Sequence, residues 1–457
     1  MTSTPLSIML KILTHRRDSN SPQSFFFFFL PTALALVTSL LILFYVSFIS
    51  KFFTHSQQTH LTFTHSTDFS SFNSTSQKPV NISFLGSIQS FGTGGIGNVQ
   101  SQRHMELNGK YVNDNAVFHD RDTFMNDYKE MNRSLKIYVY PHQKADPFSN
   151  VLLAVDFEPG GNYASESYFK KILVTSHFIT KDPSNADLFF LPFSIARLRH
   201  DPRVGIDGIK DFIKSYIFNI SHEYPYWNHT NGADHFYVAC HSIGRFAMEK
   251  AIDVKINAIQ VVCSSSYFVS SYIPHKDASL PQIWPRLGSD PNLAPYKRKK
   301  LGFFAGTINS PVREKLLEWW GNDSDIFVHF GHLERSYAEE LLDSKFCLHV
   351  KGYEVNTARI ADALFYGCVP VIIANHYDLP FADILDWKHF SVIVATLDIP
   401  LLKKILQGIT QQEYLMLHSN VLKVRKHFQW HVSPVDFDAF YMVMYELWLR
   451  RSSLRLQ

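Results

Sequence analysis

Residues 345–374 read KFCLHVKGYEVNTARIADALFYGCVPVIIA, and their pattern assigns the chain to a fold class. The apolar run at 345–350 predicts a strand, a polar loop and a helical stretch at 357–366 follow, and a second apolar run predicts a strand at 368–374. Gly367 suits the left-handed conformation that ends many helices. Two strands joined by one helix within this length indicate a parallel βαβ unit.

The same alternation of short strands and helices continues on both sides of this unit. A proline-rich stretch, Pro274 to Pro295, separates two such regions. The sequence therefore predicts an α/β fold with two Rossmann-like lobes, 134–295 and 296–435, a C-terminal helix at 436–457 and a ligand cleft beyond the carboxyl ends of the strands. The other predicted strands are at 136–140, 186–193, 233–239, 258–264, 301–306 and 325–330, and the predicted helices of the first lobe are near 163–176 and 205–221.

The amino-terminal part of the chain has the pattern of a membrane anchor. Residues 25–49 contain no charged side chain and are long enough to cross a bilayer, with basic residues before them. We expect a cytosolic tail at 1–24, a transmembrane signal-anchor at 25–49 and a flexible lumenal stem, rich in polar residues, at 50–133. Glycosylation sequons beyond the anchor agree with this topology, and they occur at Asn73, Asn81, Asn132, Asn219, Asn228 and Asn322.

Composition excludes several functions. The net charge of +3 gives no reason to expect nucleic acid as a partner. The four cysteines show no zinc-site spacing and are expected in the core, with room for one bridge. The glycines at 92, 94 and 97 lack the flanking strand and helix of a dinucleotide site. Three Asp-x-Asp pairs, at 120/122, 323/325 and 436/438, do not end predicted strands, so no metal site is expected.

The loop after strand 345–350 is a candidate site for a nucleotide donor. Gly352 permits close approach of a ligand, Glu354 lies in the loop, and Asn356 or Thr357 is a candidate cap for a helix start that attracts phosphate. Arg359 in the first turn provides a cationic fork, and Asp362 is placed to accept hydrogen bonds from ribose. The alternative is an ordinary crossover in which Arg359 and Asp362 form a surface pair.

A second cationic helix start follows strand 301–306. In GTINSPVR, Ser310 is a candidate N-cap, Pro311 suits the first helical position and Arg313 lies in the first turn. Arg313 either reaches the same diphosphate or pairs with Glu314 or Glu318 at the surface. The basic cluster KRKK at 297–300 either contacts an anionic ligand or is a solvated surface run.

The first lobe supplies candidates for a general base. Asp234 and His235 begin the strand at 233–239, and His241 follows it. A carboxylate or imidazole facing a cleft can take a proton from an acceptor hydroxyl. The alternative is that these side chains cap local backbone groups.

Taken together, these motifs resemble the exostosin-like glycosyltransferases, glycosyltransferase family 47, in particular the plant branch that builds cell-wall polysaccharides. The resemblance rests on GADHF with Cys240 and His241, on FFAG followed by Arg313, and on the block at 346–392. It implies two lobes of the GT-B type, inverting chemistry without a metal or other cofactor, a nucleotide-sugar donor, a polysaccharide or glycan acceptor, residence as a type II protein of the Golgi membrane, and possible complexes with other transferases. The residues that it implies for the donor site are Arg313, Gly352, Tyr353, Glu354, Arg359 and Asp362, with Asp234 and His241 as catalytic candidates.

The chain also departs from the family pattern. His349, Val350 and Lys351 replace a usual Cys-Pro-Ser, Asp362 replaces a Glu, Ser310 replaces a Gly, and the segment at 242–245 lacks a common Asp. Two alternatives therefore stay open. One is a catalytically inactive, transferase-like scaffold or partner subunit of a Golgi complex, which would bind nucleotide sugar without turnover. The other is a membrane-anchored lectin, which would bind glycan and no nucleotide.

Overall fold

The computed structural model describes residues 114–268, 272–286, 288, 290–291 and 293–454. Two five-stranded parallel sheets form its centre, as the sequence predicts. The sheet of the first lobe has the order β1-β2-β3-β4-β5, and its strands are β1 Ile137–Val139, β2 Leu188–Phe190, β3 His235–Ala239, β4 Ile259–Val262 and β5 Ala278–Ser279.

The sheet of the second lobe has a different order, β10-β9-β8-β6-β7. The chain passes from β6 to β7 in one direction and from β8 to β9 in the other, while β6 and β8 lie side by side. The carboxyl ends of β6 and β8 thus form a topological switch point, where open parallel sheets bind their ligands. The strands are β6 Lys300–Gly306, β7 Ile326–Phe330, β8 Ser344–Val350, β9 Val369–Ile373 and β10 Val392–Ile393.

Helices cover both sheets, because strands that are apolar on both faces need apolar layers on each side. In the first lobe the helices are α1 Arg121–Ser134, α2 Ser149–Leu152, α3 Ala164–Leu173, α4 Ile195–His200, α5 Gly205–Glu223, α6 Tyr226–Thr230, α7 Gly244–Ala247 and α8 Ile252–Asn257. In the second lobe and after it they are α9 Pro311–Trp320, α10 Tyr337–Asp343, α11 Arg359–Phe365, α12 Leu402–Gly408, α13 Gln411–Val424 and α14 Ala439–Leu454. Short 3-10 helices lie at Asp114–Val117, Pro183–Asn185, Pro295–Lys297, Trp387–His389, Thr396–Leu401 and Arg425–Phe428.

The folded part begins earlier than the sequence predicts. Residues 121–133 were assigned to a flexible stem, but they form most of α1, in which Phe124, Tyr128 and Met131 are buried. The ring of Phe124 meets that of Tyr445 on α14 edge to face, with 4.9 Å between centroids. The apolar spacing of α1 was overlooked because polar residues dominate its composition. The predicted C-terminal helix is confirmed as α14.

Two disulfides correct the expectation of at most one bridge. Cys240 pairs with Cys263, which joins the carboxyl ends of β3 and β4, and Cys347 pairs with Cys368, which joins β8 to the start of β9. Each bridge connects two neighbouring strands. The paired cysteines are 23 and 21 residues apart in sequence, so no short spacing motif marks them. Within the described part of the chain, no helix has the length and apolarity needed to cross a bilayer. The predicted tail, anchor and most of the stem lie outside the described residues.

Candidate functional site

Arg313 lies at the switch point of the second lobe, at the start of α9. Ser310 caps this helix by accepting from the Arg313 amide, and it also donates to the Lys351 carbonyl (2.7 Å). The buried guanidinium donates to the Val350 carbonyl through Nε and Nη2 (both 3.2 Å) and to the Thr307 carbonyl through Nη1 (2.9 Å). Arg313 therefore faces inward, and the alternative of a surface pair with Glu314 or Glu318 is wrong.

Arg359 reaches the same crevice from α11. Its Nε and Nη2 donate to the Ala305 carbonyl (3.0 and 2.7 Å). Both guanidinium groups lie over the ring of Phe304, at 5.4 Å for Arg313 and 5.1 Å for Arg359. Burial lowers the pKa of Arg313 to about 10, and the like charge of Arg359 contributes. Neither arginine forms an ion pair with a carboxylate in the described part of the chain, so the crevice holds two uncompensated positive charges.

Two glycines make room for these guanidinium groups. A Cβ atom on Gly306 would lie 2.6 Å from Nη2 of Arg359, and one on Gly352 would lie 2.9 Å from Nη2 of Arg313. A side chain at either position would displace a cation. The group that approaches Gly352 is Arg313, and the close approach of a ligand stays a prediction.

His349 explains one departure from the family pattern. It is buried in β8; its Nε2–H donates to the Val355 carbonyl (2.8 Å), and the Thr357 hydroxyl donates to Nδ1 (3.1 Å). Burial lowers the pKa of His349 to about 3, and the charges of Arg359 and Arg313 act in the same direction. A neutral His349 in β8 therefore fixes the loop at 351–357 through Val355 and Thr357.

Helix α11 begins later than predicted. The N-cap is Ala358, whose side chain makes no capping bond, whereas Asn356 donates to Gln282 (2.7 Å) and Thr357 accepts from the Arg359 amide (3.3 Å). The helix has 7 residues and ends, as predicted, at Gly367 with φ +64°. The positive charge of this corner therefore comes from the two arginines rather than from a long helix dipole.

Asp362 is buried and pairs with Arg286, whose Nε donates to Oδ1 (2.8 Å). The predicted alternative, a surface pair of Asp362 with Arg359, is wrong. Burial raises the pKa of Asp362, and the Arg286 contact opposes this shift. The pair opens on a cavity of about 300 Å³ whose lining includes Tyr168, Trp284, Arg286, Asp362, Phe365 and Trp430.

Glu354 and Tyr353 lie where the loop at 351–357 meets the first lobe. The Ser264 hydroxyl, which follows β4, donates to Oε2 of Glu354. Tyr353 is exposed. The Glu354 charge also contributes to the raised pKa of Tyr163, for which burial is the main cause. Glu354 thus links the loop at 351–357 to the carboxyl edge of the first sheet.

His241 lies at that edge, just after β3, under the stacked ring of Tyr163 (4.4 Å between centroids). The Ile243 amide donates to Nδ1 (3.1 Å), so the proton of the neutral ring is on Nε2. Burial lowers the pKa of His241 to about 4, with contributions from the charges of Arg199 and His200. A neutral ring in this tautomer donates from Nε2 and cannot accept a proton there. The backbone thus occupies Nδ1, and the role of His241 as general base stays a prediction.

Asp234 lies at the other end of the same strand. Thr230 donates to its Oδ1 (2.6 Å), and Nδ1 of His235 lies 2.7 Å from that oxygen. A five-residue strand is about 17 Å long, so the structure does not bring Asp234 to the edge that holds His241. Asp234 and His235 contact each other and the hydroxyls of Thr230 and Tyr140, rather than the backbone groups that the alternative expected them to cap.

The remaining predicted residues have simpler surroundings. Asn219, Asn228 and Asn322 are exposed, and Asn132 is half-buried on α1, while the sequons at Asn73 and Asn81 lie outside the described residues. Lys403 contacts both carboxylates of one Asp-x-Asp pair, Asp323 (2.8 Å) and Asp325 (2.9 Å). In the KRKK cluster, Arg298 is buried and donates to three carbonyls, those of Leu341, Ser344 and Tyr366.

Several residues of the cleft were missed by the sequence analysis. Arg199 on α4, Tyr163 before α3, Ser264 after β4 and Arg286 in the proline-rich segment all reach it. They lie in four different segments of the chain, and no local motif marks them. The position of Arg199 shortly after a predicted strand was the one available signal.

Comparison with known proteins agrees with this geometry. Residues 131–409 match the exostosin GT47 domain. A probable glycosyltransferase of Arabidopsis thaliana is 37% identical over 359 residues, which cover 76% of this chain and 68% of the relative. A probable glucuronosyltransferase of Oryza sativa subsp. japonica is 28% identical over 345 residues, which cover 68% and 80% of the two chains. A probable beta-1,4-xylosyltransferase of Arabidopsis thaliana, IRX10L, is 28% identical over 307 residues, which cover 62% and 74%.

The fold, the cationic crevice and these relatives together define the chain as a glycosyltransferase. It belongs to the exostosin family, glycosyltransferase family 47, and its similarity is to plant members of that family.

Proposed function

We propose that this glycosyltransferase transfers a sugar, with inversion and without an essential metal, from a nucleoside diphosphate donor to a plant cell-wall polysaccharide or related glycan. The observation that carries the proposal is the pair of uncompensated guanidinium groups, Arg313 and Arg359, over Phe304 at the switch point. Such a pair matches a diphosphate, because each planar fork can donate two hydrogen bonds to phosphate oxygens. Their charges would also stabilise the diphosphate as it leaves.

The nucleoside would lie beside Asp362. The cavity of about 300 Å³ next to Asp362 and Arg286 is of the size that accepts part of a nucleotide. The Oδ1 of Asp362 accepts from Arg286, which leaves Oδ2 for a ribose hydroxyl. In this arrangement the two lobes form a cleft of the GT-B type, with the donor on the second lobe.

We propose that Glu354 is the general base that takes the proton of the acceptor hydroxyl. The Ser264 hydroxyl holds the Glu354 carboxylate at the carboxyl edge of the first sheet. Among the described carboxylates near the cleft, Glu354 is the one in the loop that joins the two edges. The acceptor oxygen would lose its proton to Glu354 as it bonds to the anomeric carbon, and the bond from that carbon to the diphosphate oxygen would break.

The location that we propose is the Golgi lumen, with the chain anchored by residues 25–49 as a type II membrane protein. Two disulfides favour an oxidising compartment. Exposed sequons at Asn219, Asn228 and Asn322 are accessible to glycosylation there. Complexes with other transferases would form at this membrane.

Relatives named as glucuronosyltransferases and xylosyltransferases make uronic acid and pentose donors the first to test. Calorimetry of the purified full-length chain with UDP, UDP-glucuronate, UDP-xylose and UDP-galactose measures donor binding. Release of UDP in the presence of plant cell-wall oligosaccharides measures turnover. Binding of none of these donors by folded protein would contradict the proposal.

Glu354→Gln tests the assigned base. We expect donor affinity to be retained and turnover to fall by about 10²- to 10⁴-fold. Glu314→Gln, an exposed residue of α9, is the matched control and should keep wild-type turnover. Full turnover in Glu354→Gln would remove Glu354 from the mechanism. Donor binding without turnover in the wild-type chain would instead favour the non-catalytic partner subunit.

A further inference from the structure

Two hydrogen-bond donors without a partner among the described residues follow neighbouring strands of the first sheet, and the charge of Arg199 acts on the other donor, His241. Arg199 is on α4, which follows β2, and His241 follows the adjacent strand β3. Nε of Arg199 and Nε2 of His241 have no solvent exposure and no hydrogen-bond partner in the described part of the chain. His241 as a whole is 7% exposed. A buried donor without a partner is unfavourable, so two in neighbouring positions indicate that an acceptor binds there.

The charges at this place are positive. Arg199 and His200 both contribute to the lowered pKa of His241, and Arg199 also acts on Tyr163, whose ring covers His241. Arg199 forms no ion pair within the described residues. The guanidinium and the Nε2–H therefore form a donor set that lacks an acceptor.

The backbone around this donor set is firmly held. Glu166 is buried on α3, where its carboxylate accepts from the Cys240 amide (3.0 Å), the Ala196 amide (3.4 Å) and the Ser194 hydroxyl. The same side chain thus fixes the start of α4 and the end of β3. The disulfide of Cys240 adds a second tie beside His241. A site that is held in this way is preorganised for a ligand.

From these observations we infer that Arg199 and His241 form a binding site for the carboxylate of a uronic acid. A planar guanidinium and an adjacent N–H match the two oxygens of a carboxylate. The charges of Arg199 and Glu354 both act on Tyr163, and the loop that contains Glu354 also contains Gly352, which lies against Arg313. The inference rests on the proposed function, in which Arg313 and Arg359 bind the diphosphate of the donor. The carboxylate of the uronic acid is then the anion that Arg199 binds.

The carboxylate has two possible sources. It belongs either to the sugar of the donor or to a uronic acid residue of the acceptor glycan, and both would enter the cleft between the lobes. The neutral His241 suits either source. Its ring keeps the Nε2–H near neutral pH and can donate it to a carboxylate. Tyr163 must move aside or stack on the sugar ring, since it covers His241.

Binding to pairs of ligands that differ in one carboxylate tests the inference on the full-length chain. The donor arm compares UDP-glucuronate with UDP-glucose, and the acceptor arm compares a glucuronate-substituted xylo-oligosaccharide with the unsubstituted one. We expect the acidic member of one pair to bind about tenfold or more tightly. Arg199→Gln should abolish this preference and leave the affinity for UDP unchanged. Arg197→Gln, on the same helix but in contact with the Asn150 carbonyl, is the matched control and should keep the preference.

The outcomes separate the inference from the proposed function. UDP binding with no preference for the acidic member in either arm would overturn the carboxylate site and leave the transferase proposal standing. A preference that persists in Arg199→Gln would also overturn it. If UDP does not bind but the acidic oligosaccharide does, and Arg199→Gln abolishes that binding, the carboxylate site stands and the donor assignment fails. His241→Gln serves as a second variant, which should weaken the preference without reducing UDP affinity.

Discussion

Replacing Arg359 with methionine removes one of the two guanidinium groups at the switch point and keeps an unbranched side chain over Phe304. Arg359 uses Nε and Nη2 to hold the Ala305 carbonyl, which leaves Nη1 and one Nη2 proton for a ligand. A hydrogen bond between charged groups contributes about 1.5–3 kcal/mol. We therefore expect the dissociation constant for UDP to rise roughly 10- to 150-fold in Arg359→Met.

The same substitution should change the free energy of unfolding by only about 1 kcal/mol. Two hydrogen bonds to the Ala305 carbonyl are lost, but the repulsion between Arg359 and Arg313 is lost as well. This repulsion contributes to the lowered pKa of Arg313. A large fall in affinity with little fall in stability is the expected signature of a residue that serves ligand binding rather than the fold.

Isothermal titration with UDP and thermal unfolding of the same samples measure both quantities. Arg335→Met is the matched control, since it removes one positive charge from a surface site where Arg335 pairs with Glu339, Glu340 and Asp343. UDP should bind to this control as to the wild type. Unchanged UDP affinity in Arg359→Met, or an equal loss in Arg335→Met, would refute the assignment of the diphosphate to this crevice.

Two further changes test neighbouring parts of the site, and a third tests a buried histidine outside it. Gly352→Ala places a Cβ 2.9 Å from Nη2 of Arg313, so UDP affinity should fall in titrations while the protein remains folded. Asp362→Asn should reduce the preference for UDP over 2′-deoxy-UDP, since a neutral amide beside Arg286 accepts more weakly from ribose; an unchanged preference would remove Asp362 from the ribose site. Burial lowers the pKa of His427 to about 4, below its ordinary 6.5, so the unfolded chain binds a proton that the folded chain excludes as pH falls through this window. Acidification from pH 7 to pH 5 should therefore lower the free energy of unfolding by about 2 kcal/mol through this residue, and His427→Gln should show a shallower dependence in chemical denaturation.

The parts of the fold that depend on local pattern were predicted well. All the predicted strands are present within a few residues, because apolar runs bounded by turn residues are a local signal. Ser310 caps α9 and Gly367 ends α11 as predicted, since both roles depend on side chain and backbone chemistry within one turn. Arg313 and Arg359 were also found in this way, as cations at the starts of helices that follow strands.

The errors share one physical cause, which is that partners distant in sequence compete for a side chain. Asp362 pairs with Arg286 of the proline-rich segment rather than with Arg359 one turn away. Asn356 and Thr357 were the candidate caps of α11, but Asn356 contacts Gln282. Asp234 and His241 were candidates because they flank the strand at 233–239, and the structure keeps them at opposite ends of it.

The amino-acid sequence alone was enough to establish a two-lobed α/β fold, the resemblance to family 47 and the cations of the donor loop. These properties follow from periodicity, helix-end chemistry and contiguous motifs, and each of these signals depends on residues that are close in sequence. The tertiary structure was needed to show that β6 and β8 form a switch point, that the Ile243 amide occupies Nδ1 of His241, and that the charge of Arg199 acts on His241. Strand order, burial and the neighbours of a charged group depend on how distant segments pack, and no local pattern encodes that packing.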